Sequence, residues 1–589
     1  MAVKVAFDGR SRVYRLLRAW KYDLFASVFF VLFRLFYRQV EIWGKDDSSQ
    51  EDALIFVAGP HSNDVADTGL LMPFILTRFG RRVSFLVGAR TMGKPVEGFL
   101  ARGVGATVLN REWDNATLGT GTICISLASS GRVIRGCGTR FDLEARPGDR
   151  LMCVVAKKHI LRGTVAEICG PEMLLLTQPL RLPENPGCLE ALDSDRLANL
   201  RYSWVTGASS RAHWDEIMTA LRTNGAISLF PEGTCHDQPH LLPFKSGFAV
   251  IALKYAAAAF PHQRVRIVPC AIHHQQSHLF RSKIGLEFGS PITIPSELIT
   301  AFKAGKEKLA VSALRRLVQS VLSEMTLLDS DSDDMIPKVI KAFTTLSPPP
   351  SIQETLQRKR HIVRRLRADI KVQSLDTCQN LTTRINQFNK ELASFGIKSL
   401  PVSGHATTLL LTLMKNILLL SLTTPLVAPG LLLFTPLLLA SGYFARRHAA
   451  RATATSAFRI RGQDVLASAK ALYAVQMAPV LYGAFAWGIS IVYSWGSFAG
   501  FGKPVIVVMG LVLVTVLGIV ALPAGNVVMD AVAEVRDVVA CLREAVWSEE
   551  GRVKMGRLVK MKVKLESEVE RFLGEYEGEE GCMGDKPLF

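Results

Sequence analysis

The chain has ten cysteines, with no CxxC pair and no regular spacing among them. That excludes a disulfide framework and a structural zinc site of the usual ligand spacing, and it fits a reducing compartment. There is no Gly-x-Ser-x-Gly elbow, which removes the serine hydrolases built on one. A Walker loop, a dinucleotide fingerprint and an EF-hand loop are missing too, and nothing in the motifs calls for a metal. Acidic residues are in short supply, 52 against 70 lysines and arginines, for a formal net charge of +18. Nucleic acid is one partner for such a charge, but zinc-finger spacing, a recognition-helix signature and a basic–aromatic motif are all lacking. The mean hydropathy of +0.21 is unusually apolar for a basic soluble protein. Membrane proteins with cationic cytosolic surfaces combine the two properties.

At 589 residues the chain exceeds one ordinary domain. Residues 1–45 form a basic N-terminus followed by the apolar run Leu24–Phe33. The basic part is too long for a signal peptide, and no small-residue cleavage site precedes Arg34. Ten apolar residues reach only about 15 Å as a helix, half a hydrocarbon core, so the run reads as an interfacial or re-entrant helix with Arg34 snorkelling. Residues 46–300 alternate apolar strands with helical stretches, an α/β texture broken at about 120–186 by short β-rich runs that read as an insert. Residues 301–405 read as a charged helical linker carrying the breaker Pro348-Pro349-Pro350.

Residues 406–525 are a membrane region. The apolar halves 408–424 and 430–445 flank Thr424-Pro425-Leu426-Val427-Ala428-Pro429-Gly430 and predict a hairpin that spans or dips in. Two more apolar stretches, about 472–494 and 504–522, predict a second hairpin. Between the pairs lie Arg446, Arg447, Arg451, Arg459, Arg461 and Lys470, opposed only by Asp464, so the positive-inside rule puts this connector and both flanks in the cytosol. Residues 526–589 then form a cytosolic helical tail.

Two stretches bear the polar residues that chemistry needs. The strand Ala53–Ala58 opens through Gly59-Pro60 into His61, with Asp64 and Asp67 following. A histidine at a strand end with a carboxylate nearby suits a general base and its orienting partner. On one continuous helix a six-residue step turns by about 600°, so Asp67 meets His61 only across a loop leading into the helix. Asp64 is the other candidate partner, or a helix cap. The plainer reading is a turn histidine with two capping aspartates. Far downstream, Phe230-Pro231-Glu232-Gly233-Thr234 closes a strand on a turn holding one carboxylate, which could bind hydroxyls, brace a loop or meet an arginine.

The string Phe230–Gly247, with its Pro231-Glu232-Gly233-Thr234, His236-Asp237 and Leu241-Leu242-Pro243-Phe244-Lys245-Ser246-Gly247, resembles the fungal-type glycerol-3-phosphate/dihydroxyacetone-phosphate acyltransferases of the membrane-bound lysophospholipid acyltransferase superfamily. The resemblance covers roughly residues 20–300. Its first block is a histidine, four residues and an aspartate; this chain has five between His61 and Asp67. Gly105–Arg111 resembles the second block, Phe230-Pro231-Glu232-Gly233 the third and Ile267-Val268-Pro269 the fourth, and Phe280-Arg281-Ser282 also looks like this branch.

The resemblance implies an α/β acyltransferase core with a small β-rich insert, plus C-terminal transmembrane α-helices and an N-terminal interfacial helix. It implies His61 and Asp67 as catalytic residues, and Arg111, Glu232, Gly233, Lys245, Pro269 and Arg281 as substrate-binding ones. Arg111 is the first candidate for the acceptor phosphate, with Lys245 and Arg281 behind it, since cations in reach are what a phosphate requires. The expected reaction moves an acyl group from acyl-CoA to glycerol 3-phosphate or dihydroxyacetone phosphate at the endoplasmic reticulum membrane, the catalytic domain facing the cytosol. Acyl-CoA is a co-substrate and is already activated, so no resident cofactor and no covalent nucleophile are needed, and Cys235 reads as structural. Membrane lipids are expected partners and nucleic acid is not. Acylation of a lysophospholipid and a non-catalytic lipid-binding role are the competing readings.

Overall fold

The computed structural model describes residues 9–44, 49, 52–109, 117–125, 132–155, 159–178, 199–205, 208–238, 240–258, 264–275, 279–327, 342–343, 346, 351–369, 375–395, 397, 406–455, 459–495, 502–547 and 549–574. Its centre is a mostly parallel sheet, with strands in the order Gln39–Gly44, Lys283–Phe288, Val265–His274, Ala53–Gly59, Ala226–Leu229, Ser84–Gly88 and Thr107–Leu109. The strand Ile292–Thr293 pairs beside Val265–His274. All seven residues of Ala53–Gly59 are buried, as a central strand with both faces covered demands. The side chains alternate: Leu54, Phe56 and Ala58 join one core, while Ala53, Ile55 and Val57 join the other.

The first core lies under the N-terminal helix Gly9–Phe36 and the helix Asp64–Phe79. The second is closed by the helices Ala208–Asn224, Gly247–Ala257 and Glu307–Thr326. The last of these places Ala310, Leu314, Val318 and Leu322 in that core, each fully buried. The α/β core therefore extends beyond residue 300, into what reads in the sequence as linker. Its charge pattern is that of an amphipathic helix whose apolar stripe recurs every three to four residues.

The insert is a separate antiparallel sheet in the strand order Thr117–Leu118, Tyr202–Val205, Arg150–Val155, His159–Gly170, Met173–Leu176, Val133–Cys137 and Thr122–Ile125. It surrounds its own core of Phe141, Tyr202 and Trp204, whose rings meet edge to face. Its strands reach from Thr117 to Val205, wider than 120–186, because Tyr202–Val205 returns to pair with Arg150–Val155.

On the N-terminal helix, Tyr22, Ala26, Phe29 and Phe33 are buried, a spacing of three to four residues along one face. Trp20, Leu24, Val28 and Val31 on the other face are exposed and apolar. Three further helices are long and apolar enough to cross a membrane among the described residues. They lie in Ala406–Thr455, Gln463–Trp495 and Lys503–Trp547.

The sequence predicts four apolar segments in two hairpins, whereas the first pair is one 50-residue helix running through Pro425, Pro429 and Pro436. Apolar surroundings leave backbone groups no water to bond, so helical structure persists past proline where neighbouring side chains help. Thr423 Oγ1 donates to the Leu419 carbonyl at 2.6 Å and Ser421 Oγ to that of Leu418 at 2.8 Å, back-bonds of the kind that bend a helix, just before Pro425. The helix changes course. Asn416 meets Glu534, and Gly430 abuts Ala521 and Leu517; Phe434, between Pro429 and Pro436, meets Tyr482 and Phe485 while still touching Gly518, and beyond the prolines Phe444 meets Tyr473. The other two helices run antiparallel, Tyr482 bonding Thr515 and Gly510 lying against Ile489. A helix that follows first one and then the other has to bend between, and prolines are the usual cause of such a bend.

The helices Ile352–Asp369 and Leu375–Ser394 join the helix Glu549–Gly574 and the end of Lys503–Trp547. Ile362, Ile385, Val538 and Leu565 share that cluster, so linker and tail pack as one body.

Candidate active site

Three neighbouring parallel strands, Val265–His274, Ala53–Gly59 and Ala226–Leu229, all end on the same edge of the sheet. Loops at the carboxyl edge of a parallel sheet are where such folds place their sites. Past the central strand comes His61, past the strand on one side come Phe230 and Glu232, and His274 ends the strand on the other.

His61 lies in the short turn before the helix that begins at Asp64, and Asp67 sits in that helix's first turn. The turn solves the spacing problem, since His61 is not on the helix at all. His61 Nδ1 lies 3.0 Å from Asp67 Oδ2, and the Asn63 backbone N–H donates to the same oxygen at 2.8 Å. A carboxylate in the first turn also faces the positive end of the helix dipole. Asp67 is thus a carboxylate bonded to the ring.

Asp67 is fully buried, and its second oxygen, Oδ1, lies 2.9 Å from His274 Nε2. Burial alone would raise its carboxyl group; the hydrogen bonds from His274 and His61 outweigh that and hold it below the usual carboxylate range. His274 has no counterpart among the residues marked by the sequence. The strand runs on past Pro269, although proline donates nothing to a ladder. It continues because Pro269 falls between two partners on its edge: Ile292–Thr293 pairs with Arg266 and Ile267, and Lys283–Phe288 pairs from Cys270 onward. The Pro269 carbonyl accepts the Gly289 N–H at 2.9 Å. Its place is in the sheet, which departs from the substrate contact expected of it.

Glu232 is buried and holds the loop together. Its Oε1 accepts the His61 backbone N–H at 3.3 Å, and its Oε2 bonds His236 Nε2. The His236 N–H donates to the His61 carbonyl at 3.1 Å, so the two loops are laced in both directions. The Gln238 N–H donates to His236 Nδ1 at 3.2 Å, which makes Nδ1 the acceptor and Nε2 the donor to Glu232. The Phe230 ring stacks on His61 with centroids 3.8 Å apart and planes 10° from parallel. Held by Asp67 on one nitrogen and Phe230 on one face, the imidazole has little rotational freedom. Two glycines are required here. A side chain on Gly59 would come within 3.2 Å of Glu232 Oε1, and Gly233 has φ 68° with the Lys245 ammonium packed against it.

Lys245 is exposed, and its N–H donates to the Pro231 carbonyl at 2.8 Å, folding the downstream segment back over the Pro-Glu-Gly turn. Arg111 lies outside the described residues. Arg281 has partners other than a phosphate. Its Nη1 donates to the carbonyls of Arg34, Leu35 and Tyr37, and its Nε to Asn526 Oδ1 at 3.1 Å. The guanidinium caps the end of the N-terminal helix and ties it to an apolar helix. Cys235 is buried.

Asp237 joins the site to the membrane region. Its carboxylate accepts the backbone N–H groups of Ile460, Arg461 and Gln463 at 2.6, 2.7 and 3.3 Å, in the basic connector between two apolar helices. Burial would raise its carboxyl group, and those three donors bring it below the usual range. Ser468 Oγ also accepts the Ala66 N–H at 3.4 Å, one residue from Asp67.

Comparison with known proteins bears on this geometry. Residues 197–273 match the Acyltransferase family, and residues 339–580 match the family described as Glycerol-3-phosphate acyltransferase 2 C-terminal domain. An uncharacterized acyltransferase of Schizosaccharomyces pombe is 28% identical over 79% of this chain and 68% of its own length. Glycerol-3-phosphate O-acyltransferase 1 of Saccharomyces cerevisiae is 28% identical over 88% of this chain and 68% of its own. Glycerol-3-phosphate O-acyltransferase 2 of the same yeast is 26% identical over 79% and 64%. Among solved structures, the 1-acyl-sn-glycerophosphate acyltransferase PlsC of Thermotoga maritima aligns with 54% of this chain and 84% of its own at 13% identity, with a TM-score of 0.25.

Proposed function

We propose that this chain, a member of the glycerol-3-phosphate acyltransferase family, transfers an acyl group from a coenzyme A thioester to the 1-hydroxyl of glycerol 3-phosphate or dihydroxyacetone phosphate. The observation that carries the reading is the hydrogen bond between His61 Nδ1 and the buried Asp67. With its Nδ1–H held by a carboxylate, the ring presents Nε2 as its basic atom. As the acceptor hydroxyl attacks the thioester carbonyl, Nε2 takes its proton, and Asp67 stabilises the imidazolium that results. The proton then passes to the departing CoA thiolate. Nothing in the step requires an acyl-enzyme, because the thioester is already activated. Glu232 fixes the position of the His61 backbone, and Phe230 fixes the ring plane.

Arg111 and Lys245 are the cations we assign to the acceptor phosphate. Lys245 lies over Gly233 at the turn that contacts His61, which supports the assignment. The bonds from Asp237 to the connector put the catalytic edge on the same side as Arg446, Arg447, Arg451 and Arg461, which the positive-inside rule assigns to the cytosol. That arrangement supports a multi-pass membrane protein facing soluble CoA and phosphate substrates; the endoplasmic reticulum is the membrane that the family resemblance implies. The exposed apolar face of the N-terminal helix supports its lying at the bilayer surface.

The test is acylation of radiolabelled glycerol 3-phosphate by membranes carrying the full chain or its His61→Ala variant, with dihydroxyacetone phosphate and lysophosphatidate as parallel acceptors. Activity on the first two acceptors that disappears with His61 is the expected result. Undiminished activity in the variant rejects the mechanism, and a preference for lysophosphatidate rejects the substrate.

A further inference from the structure

We propose that His274 is a positioning residue for the reaction, holding the Asp67 carboxylate against His61 from the far side. The inference rests on the reading of His61 as the base. Asp67 carries four lone-pair positions in a fully buried place, and His61 and Asn63 both use Oδ2. Without His274, Oδ1 would be left in the interior, a costly condition that the side chain would relieve by turning away from His61. His274 Nε2 supplies the missing donor at 2.9 Å.

The ring is built into its place. Its side chain is 5% exposed, its backbone pairs with Ile284, and Tyr37 lies beside it with ring centroids 6.3 Å apart. Its Nδ1 has no partner among the described residues, so the one hydrogen bond that orients the ring is the bond to Asp67. The titratable groups facing it are Asp67 and, beyond that carboxylate, His61 on one side, and Tyr37 from the N-terminal helix on the other. Burial, reinforced by the Asp67 charge, pushes the Tyr37 phenol up, so that it stays protonated. The next residue in the strand, His273, points to the opposite face, toward Glu287 at 3.1 Å. Asp67 is the group on which His274 acts.

Asp67 serves the base only while it is ionised and aimed. A donor on Oδ1 secures both conditions. Removing it lets the carboxylate turn from His61 or take up a proton itself, so the imidazolium loses its support and His61 gives up its proton at lower pH.

The experiment compares wild type, His274→Phe and His274→Gln as full-length proteins in membranes, measuring kcat, KM for glycerol 3-phosphate and the pH profile. Loss of an outer partner of this kind commonly removes about 10-fold or more of activity. We expect that loss in kcat for H274F with KM near wild type, and an acid limb moved down by about half a pH unit or more. H274Q keeps an amide N–H for Oδ1 and should retain the wild-type limb. A residue that merely filled space would lower the yield of both variants and leave the limb where it is. Wild-type kcat and limb in H274F overturn the proposal, as does an H274Q variant as impaired as H274F. If H274F does not accumulate, H274Q decides alone: a wild-type limb supports the role and a displaced one overturns it. His61→Ala, run alongside, separates the two readings. An active H61A overturns the base assignment and this role with it, whereas an inactive H61A beside an unaffected H274F overturns only the role of His274.

Discussion

The Asp237 carboxylate accepts the backbone N–H of Arg461 at 2.7 Å, across 224 residues of sequence. One residue before Asp237, His236 bonds both Glu232 and the His61 carbonyl, so the basic connector and the His61 loop share a single network. Asp237→Ala should cost about 0.5–2 kcal/mol, the usual loss when a carboxylate stops satisfying the N–H groups at a helix start. The native carboxyl is held low, so its contribution to stability is present above the ordinary carboxylate value and is lost as pH falls through the lower native one. Thermal unfolding in detergent should show D237A trailing wild type at pH 7 and converging with it in acid. A deficit that persists unchanged in acid would place the effect elsewhere.

Asp67→Asn tests the base and its partner more sharply than any deletion. The amide is nearly isosteric, yet it offers a donor where His61 or His274 already donates, so the His61 ring loses its fixed tautomer. Activity should fall by about 10²–10⁴-fold, the range for a general base, with KM for the acceptor little changed. Steady-state kinetics on membranes would decide it. An enzyme within a few-fold of wild type, by the same rule, would deny Asp67 its role.

Glu232→Gln should be more harmful than its small change in shape implies. His236 Nε2 must donate to residue 232, because its Nδ1 is occupied by the Gln238 N–H. Glutamine can accept from the His61 N–H with its oxygen, but its amide then faces the Nε2–H donor of His236. A buried donor left unpaired costs about 1–3 kcal/mol. Thermal midpoints should drop for E232Q, and a Glu232→Gln/His236→Leu double variant should recover part of the loss. No recovery would mean that the pair is not the cause.

Much of this site could be read from the chain, and the unread part follows a pattern. His61, Asp67 and Phe230–Gly233 sit in loops directly after strands, where short-range signals of turn and strand end are strong. His274 and His236 act through residues far from them in sequence, and neither lies in a recognisable local pattern. His274 was further hidden by Pro269, which ends a strand in most settings and here falls in a gap of the ladder. The first apolar hairpin is the reverse case. Pro425, Pro429 and Gly430 are turn signals in water, but in apolar surroundings the same residues bend a helix without ending it. The insert and linker boundaries shifted because strand return and helix docking are decided by distant partners, Arg150–Val155 for Tyr202–Val205 and the sheet's second core for Glu307–Thr326.

Arg281 separates a phosphate ligand from a structural joint. Its backbone has φ 61°, a left-handed conformation that an ordinary residue adopts at a cost, and its guanidinium makes four bonds to Arg34, Leu35, Tyr37 and Asn526. A lysine offers a point charge where a planar fork is needed, so Arg281→Lys should lose most of the joint while keeping the charge. Arg281→Gly relieves the backbone and removes the joint altogether. If the joint is what matters, R281K and R281G both lower the detergent thermal midpoint, with about 1–3 kcal/mol lost in each. KM for glycerol 3-phosphate then stays near wild type, since uniform substrate binding is untouched. A phosphate ligand predicts the opposite division: R281G raises KM steeply, R281K much less, and stability hardly moves. The position of Arg281 on three carbonyls at the end of the helix that flanks the Asp67 helix favours the first outcome, because a cation so committed has few donors left to offer a phosphate.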